Sequence, residues 1–267
     1  MKKSMVDYLK TLVKDAIETV RSGYYSRFSE KLSITTRRRA SLKMSILKCD
    51  RAPVIAEIKP ESPSRGRLRR ISSYAEAARL MEAGGAVGIS VLTEPKHFGG
   101  SLEGLVEVKR ATQLPVLMKD IVVDPVQIGA ASRLGADAVL LIYSIFRRDM
   151  ADYSLNELIR LAHSLSLEVL LETHTLEEFR LALETEADLV GINNRDLETL
   201  RVDLKTTERI LAKANPGDRI IVSESGIERP EDIRFLSKCG AKAFLVGSAI
   251  MLADNIQEKV RELVNAI

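Results

Sequence analysis

Pro53-Val54-Ile55-Ala56-Glu57-Ile58-Lys59 is a short apolar run that closes on two opposite charges. Read as a strand, it turns Glu57 and Lys59 to the same side, because side chains two apart share a face. Such charges on an otherwise apolar strand are costly unless they are paired or used in binding. Working outward, seven more runs of this kind follow: Ala86–Thr93, Pro115–Lys119, Ala138–Ile142, Glu168–Glu172, Leu189–Asn193, Arg219–Glu224 and Ala243–Val246. Between successive runs lies enough chain for one helix and two short loops. Strands apolar on both faces that alternate with helices imply a parallel sheet covered by helices. Eight right-handed crossovers close that sheet into a (β/α)8 TIM barrel. A doubly wound open sheet is the competing α/β fold, but no Gly-rich dinucleotide turn follows the first run.

The length of 267 residues matches one such barrel. Residues 1–50 read differently. Val6, Leu9, Val13, Ile17 and Val20 recur at helical spacing and predict an amphipathic helix over 4–21. Thr35 or Thr36 is placed to cap a second helix running through Lys48, stopped before Pro53. The expectation is a single domain over 1–267, with 1–50 as an N-terminal helical extension packed on the barrel.

A net charge of +3 makes no case for nucleic acid or membrane binding. Cys49 and Cys239 form no CxxC pair and suit a reducing compartment. The N-terminal stretch interleaves charge with apolar residues, unlike a signal peptide, and no 18-residue apolar run suggests a membrane span. Cytoplasmic residence is the default expectation.

Function is written in what ends the runs. The first ends in Glu57 and Lys59, the third in Lys119-Asp120 and the fifth in Glu172. The sixth ends in Asn193-Asn194 and the seventh in Ser223-Glu224-Ser225. A single charge there merely meets water, but five strands delivering polar groups at one end mark the catalytic face of this fold. Ser225-Gly226 follows the seventh run and Gly247-Ser248 the eighth. Glycine lets backbone N–H groups approach an anion, and barrels bind phosphate at these two loops. His97, His163 and His174 are scattered, with no metal-site spacing; His174 is placed at the rim or in a loop. The runs Arg65-Gly66-Arg67-Leu68-Arg69-Arg70 and Arg37-Arg38-Arg39 lack interleaved aromatics and read as solvated loop charge that also steers an anionic substrate.

Ala56-Glu57-Ile58-Lys59 with Ser62-Pro63-Ser64 resembles the first-strand motif of the indole-3-glycerol phosphate synthase family. So do Ser90-Val91-Leu92-Thr93 with Phe98-Gly99-Gly100-Ser101, and Pro115-Val116-Leu117-Met118-Lys119-Asp120. Gly191-Ile192-Asn193-Asn194-Arg195-Asp196-Leu197, Ser223-Glu224-Ser225-Gly226-Ile227 and Val246-Gly247-Ser248 complete a set running in order from about residue 50 to 250. The two leading helices resemble the family's extension over the barrel mouth.

The resemblance implies ring closure, decarboxylation and dehydration of 1-(2-carboxyphenylamino)-1-deoxyribulose 5-phosphate to indole-3-glycerol phosphate, a carbon–carbon lyase step of tryptophan synthesis. It implies Lys119 as the acid that protonates the ketone oxygen, Glu172 and Lys59 as the dehydration pair, and Glu57 as the group that orients the lysines. Glu224, Asn193, Ser62, Arg195 and Ser225 match polar groups around the substrate. Gly226, Gly247 and Ser248 would take its phosphate, with Lys59 nearby. Phe98, Leu117 and Ile142 would wall the aromatic ring. Pro60 departs from the family's usual basic residue and Ile121 from its usual aromatic, which bears on affinity rather than on acid–base chemistry. Neither cofactor nor metal is expected, and the only partner is a small anionic substrate bound by a monomer or weak homodimer.

Two rivals remain. A phosphoribosylanthranilate isomerase-like barrel calls for a cysteine closing strand one, where Glu57 and Lys59 stand instead. A non-catalytic phosphate- or polyanion-binding barrel leaves the interior Glu and Lys residues unexplained.

Overall fold

The computed structural model describes residues 7–27 and 39–267. Eight parallel strands close into a barrel in chain order. They are β1 (Val54–Ile58), β2 (Gly88–Leu92), β3 (Val116–Lys119), β4 (Ala138–Ile142), β5 (Glu168–Thr173), β6 (Leu189–Asn193), β7 (Ile221–Glu224) and β8 (Ala243–Val246). Closure is β1 pairing with β8, with Val54 opposite Phe244 and Ala56 opposite Val246. Every expected run is a strand, with ends displaced by a residue or two. Arg219 stays outside β7 because its guanidinium reaches back to the Thr185 and Ala187 carbonyls.

The period-2 pattern sorts side chains into two cores. Val54, Ala56, Ile58, Ile89, Val91, Met118, Val139 and Leu141 pack outward beneath the helices. Ile55, Leu117, Leu140, Leu170, Leu189, Val222 and Leu245 fill the interior instead. That filling makes the barrel a packed plug, so ligands are confined to its mouth. The covering helices start at side-chain caps; Ser73, Ser101, Asp124, Ser154 and Thr175 each accept a backbone N–H of the first turn. Among the described residues no helix is long and apolar enough to cross a membrane.

The extension divides between the two ends of the barrel. Helix α1 (Tyr8–Arg21) lies over the C-terminal mouth, burying Leu9, Leu12, Val13 and Ala16 with Ile121, Leu140 and Ile142. Val6 and the first residues of the expected helix lie outside the described residues. Helix α2 (Leu42–Leu47) lies at the opposite end, which corrects the expectation that both helices cover the mouth. Its neighbourhood binds only strand beginnings. Ser45 Oγ donates to the Val87 carbonyl at 2.6 Å, and Ser41 and the Lys43 N–H bind Glu168, the first residue of β5. The Ala40 N–H meets Asp137, just before β4. Ser41 is the N-cap of α2; Thr35 and Thr36, the expected caps, lie outside the described residues.

Arg65, Arg67 and Arg70 are exposed, as loop charge should be, while Arg39 and Arg69 are half-buried and bonded to backbone. Arg39 donates to Ala136 and Ser132, while Arg37 and Arg38 lie outside the described residues. Arg65 pairs with Glu228, Arg67 with Glu61, and Arg69 donates to the Met251 and Ala253 carbonyls. Arg69 ties the first βα loop, itself a small hairpin of Glu61–Ser62 against Gly66–Arg67, to the segment after β8, and Arg65 ties it to the loop after β7.

Candidate active site

Four strands deliver charge to the mouth because each has an inward-facing position at its last residue or the one before it. Glu57 from β1, Lys119 from β3, Glu172 from β5 and Glu224 from β7 converge there, with Lys59 just beyond β1. The Lys59 ammonium lies 2.6 Å from Glu57 Oε1. The Lys119 ammonium lies 3.4 Å from Glu172 Oε2 and 3.7 Å from Glu224 Oε2. Asn193 Nδ2 donates to Glu172 Oε1 at 2.9 Å, and Asn193 Oδ1 accepts the Arg195 N–H at 2.9 Å. Two ammonium groups and three carboxyls therefore share one small volume.

Their ionisation follows from that crowding. Burial pushes the Lys119 ammonium toward neutrality, but the neighbouring carboxylates, Glu172 above all and Glu57 behind it, outweigh it and hold Lys119 above the ordinary lysine range. Glu57 is also buried, yet the charges of Lys59 and Lys119 prevail and keep its carboxyl below the usual value. Glu224 goes the other way. Burial first, and the neighbouring Glu172 charge second, raise it well above the carboxylate range. Neither Glu224 oxygen has a hydrogen-bond partner among the described residues, and the Lys119 ammonium stands 3.7 Å from Oε2.

Two adjoining cavities meet at these groups. The larger, about 420 Å³, is lined by Lys59, Ser64, Arg65, Arg195, Ser225, Gly226, Gly247 and Ser248 among others. The Ser225 φ of 68° and the Gly226 φ of 83° bend the chain sharply after β7. The narrower cavity, about 60 Å³, has Tyr8, Leu12, Phe98, Ile121, Leu140, Ile142 and Leu197 around Lys119, Glu172 and Ser62. One end is thus mostly polar, while the other adds an apolar wall to the shared charged groups.

Most of the sequence-predicted residues come together here. Leu117 does not; it is fully buried and lines neither cavity. It shares a face with Lys119 but sits two residues deeper, about 7 Å down the strand. Leu140, Ile121 and Leu12 take its place in the wall, so the aliphatic Ile121 is part of the site itself. His174 is turned away, with Nδ1 2.7 Å from the Asn193 carbonyl. Asp120 borders the narrower cavity, but its carboxyl is engaged by Tyr25 Oη at 3.0 Å and Thr93 Oγ1 at 2.5 Å.

Sequence reasoning missed Tyr8, Leu12 and Glu94. Tyr8 and Leu12 are four apart on α1, a spacing that reads as ordinary core packing. Glu94 follows β2 as the other charges follow their strands, and this signal was available. Its carboxylate accepts the Lys96, His97 and Phe98 N–H groups and so shapes the loop that carries Phe98. Among the described residues no cluster of His, Cys, Asp or Glu is arranged to hold a metal ion.

Comparison with known proteins gives the chain's family. The family model for indole-3-glycerol phosphate synthase matches residues 7–263. An indole-3-glycerol phosphate synthase of Methanocaldococcus jannaschii is 43% identical over 269 aligned positions, covering 98% of this chain and 96% of that one. One from Methanopyrus kandleri is 46% identical over 216, covering 80% and 83%. Among solved structures, a thiamine phosphate pyrophosphorylase from Pyrococcus furiosus superposes with a TM-score of 0.61 at 19% identity, over 85% of this chain and 97% of that one, a likeness of fold alone. The matches to the family span nearly the whole chain, and the chain belongs to the indole-3-glycerol phosphate synthase family.

Proposed function

We propose that this barrel mouth performs the family's ring closure, decarboxylation and dehydration with Lys119 as the first proton donor. The observation that carries the assignment is the Lys119 ammonium, half-buried between Glu172 and Glu224 and adjoining both cavities. The substrate, 1-(2-carboxyphenylamino)-1-deoxyribulose 5-phosphate, lies with its phosphate on Gly226, Gly247 and Ser248, near Lys59. Its ring enters the apolar end against Phe98, Ile142, Leu140 and Ile121.

The ring carbon that bears the carboxylate attacks the ketone carbon. The ketone oxygen takes the Lys119 proton as the bond forms, which spares an alkoxide in a site that excludes water. The carboxylate then leaves as carbon dioxide, its bonding electrons restoring ring conjugation. In the last step Glu172 removes a proton while Lys59 gives one to the departing hydroxyl, and water is lost. Asn193 holds Glu172 by one oxygen and leaves the other toward Lys119. Glu57 orients Lys59 through their 2.6 Å contact, and Glu224 hydrogen-bonds a substrate hydroxyl. Arg195, held to Ser64 at 2.8 Å, and Ser225 close the polar end, and Ser62 borders the ring.

The acid–base groups suffice for each step, so turnover is expected in the presence of a chelator and without an added cofactor. Offered both phosphoribosylanthranilate and the carboxyphenylamino substrate, the pure protein is expected to consume only the second, releasing carbon dioxide and an indole fluorophore. Isomerisation of the first without indole formation would favour the isomerase reading.

A further inference from the structure

Gly191 is the interior position in the middle of β6, between Leu189 and Asn193, and stands opposite Glu172 of β5 in the ladder. It lines neither cavity. Glu224 stands one step higher, opposite Asn193, yet its side chain leans across the space above Gly191. A Cβ on Gly191 would fall far inside the van der Waals radius of Glu224 Oε1, and within 3.4 Å of the Glu172 backbone. The same device recurs on β8. There a Cβ on Gly247 would overlap Glu57 Oε1 and come within 3.1 Å of the Lys59 ammonium.

The φ of Gly191 is not in the left-handed region, so the backbone does not require glycine at this point. The space does. Any larger residue would collide with the end of a flexible side chain rather than with fixed backbone, so the carboxyl gives way and the barrel does not.

We infer that Gly191 is a positioning residue, a socket without a side chain that seats the Glu224 carboxyl beside Lys119 and Glu172. The inference rests on the roles proposed above for Lys119 and Glu224. Gly247 serves Glu57 in the same way, but its backbone also borders the phosphate, so only Gly191 isolates the effect. A displaced Glu224 leaves Lys119 with one carboxyl neighbour fewer, and Glu172 without the group that crowds it.

The test is a double-mutant cycle on the full-length protein, read by indole fluorescence. Gly191→Ala is expected to lower kcat about tenfold with KM within about twofold and to move a limb of the kcat–pH profile, with an unchanged circular dichroism spectrum. In a Glu224→Ala background, where the colliding group is gone, the same substitution is expected to change kcat by less than about twofold. An unchanged kcat and pH profile in the single variant overturns the inference. So does an equal loss in both backgrounds, which would mark a general packing defect. Wild-type turnover reports separately on the proposed reaction, so failure of that reading and failure of the socket are told apart.

Discussion

At the scale of single residues, the site is organised by neighbours that set each other's charge. Glu172 and Glu224 flank Lys119, Glu57 holds Lys59, and burial together with Glu172 pushes the Glu224 carboxyl upward. Binding and proton transfer are therefore separable at this site. Glu172→Gln keeps the shape and the reach toward Asn193 but cannot accept a proton. It is expected to lower kcat by about 10²-fold or more while KM changes little, as steady-state fluorescence kinetics will show. The residues behind this set were legible in sequence because opposite charges at strand ends have few structural uses. Which oxygen leans on which neighbour was not legible. That depends on packing partners from other strands, as Gly191 beneath Glu224 illustrates.

At the scale of elements, α1 is held over the mouth by a small set of polar contacts. His97 Nε2 lies 2.7 Å from Asp15 Oδ2, and His97 Nδ1 lies 2.9 Å from Tyr8 Oη. Lys96 adds ion pairs to Asp15 and Glu18, and Arg148 ties Asp7 to Glu198. Because Tyr8 and Leu12 wall the ring cavity, loosening α1 should affect binding before chemistry. His97→Ala removes both of its contacts, each worth about 1 kcal/mol. It is expected to raise KM roughly three- to tenfold with kcat nearly unchanged. An equal fall in kcat would place His97 in the chemistry instead. Helicity read α1 correctly, but nothing local distinguishes a helix over the mouth from one beneath the barrel. Hence α2, bound to strand beginnings through Ser41 and Ser45, was assigned to the wrong end.

At the scale of the whole molecule, stability rests on buried polar clusters at both ends of the barrel. At the lower end Asp137 accepts from Lys109, the Val116 N–H and the Ala40 N–H, all close to buried. Removing one partner of a buried pair strands the other, so Asp137→Ala is expected to cost about 3–5 kcal/mol. For a chain of this size that is roughly 6–15 °C in Tm, measurable by calorimetry. Asp120 adds a pH dependence. Burial raises its carboxyl to about 7, against the Thr93 hydrogen bond that lowers it. A carboxyl raised on folding binds its proton more tightly in the native state, so stability falls as pH climbs from about 4 through about 7. The expected loss is on the order of 4 kcal/mol. Asp120→Asn should flatten that slope in urea titrations, and an unchanged slope would assign it to other groups. The barrel itself was readable because eight two-faced apolar runs leave few other folds. These buried pairs were not, since Asp137 and Lys109 lie 28 residues apart and meet only once the strands close.

The claim on which the mechanism turns is that Lys119 supplies the proton at ring closure, and the rate of indole formation by Lys119→Ala tests it most directly. With the circular dichroism spectrum and substrate binding retained, kcat is expected to fall by about 10³-fold or more, to the limit of detection. A variant that closes the ring within about tenfold of the wild-type rate would contradict the assignment and move the acid to Lys59 or Glu224.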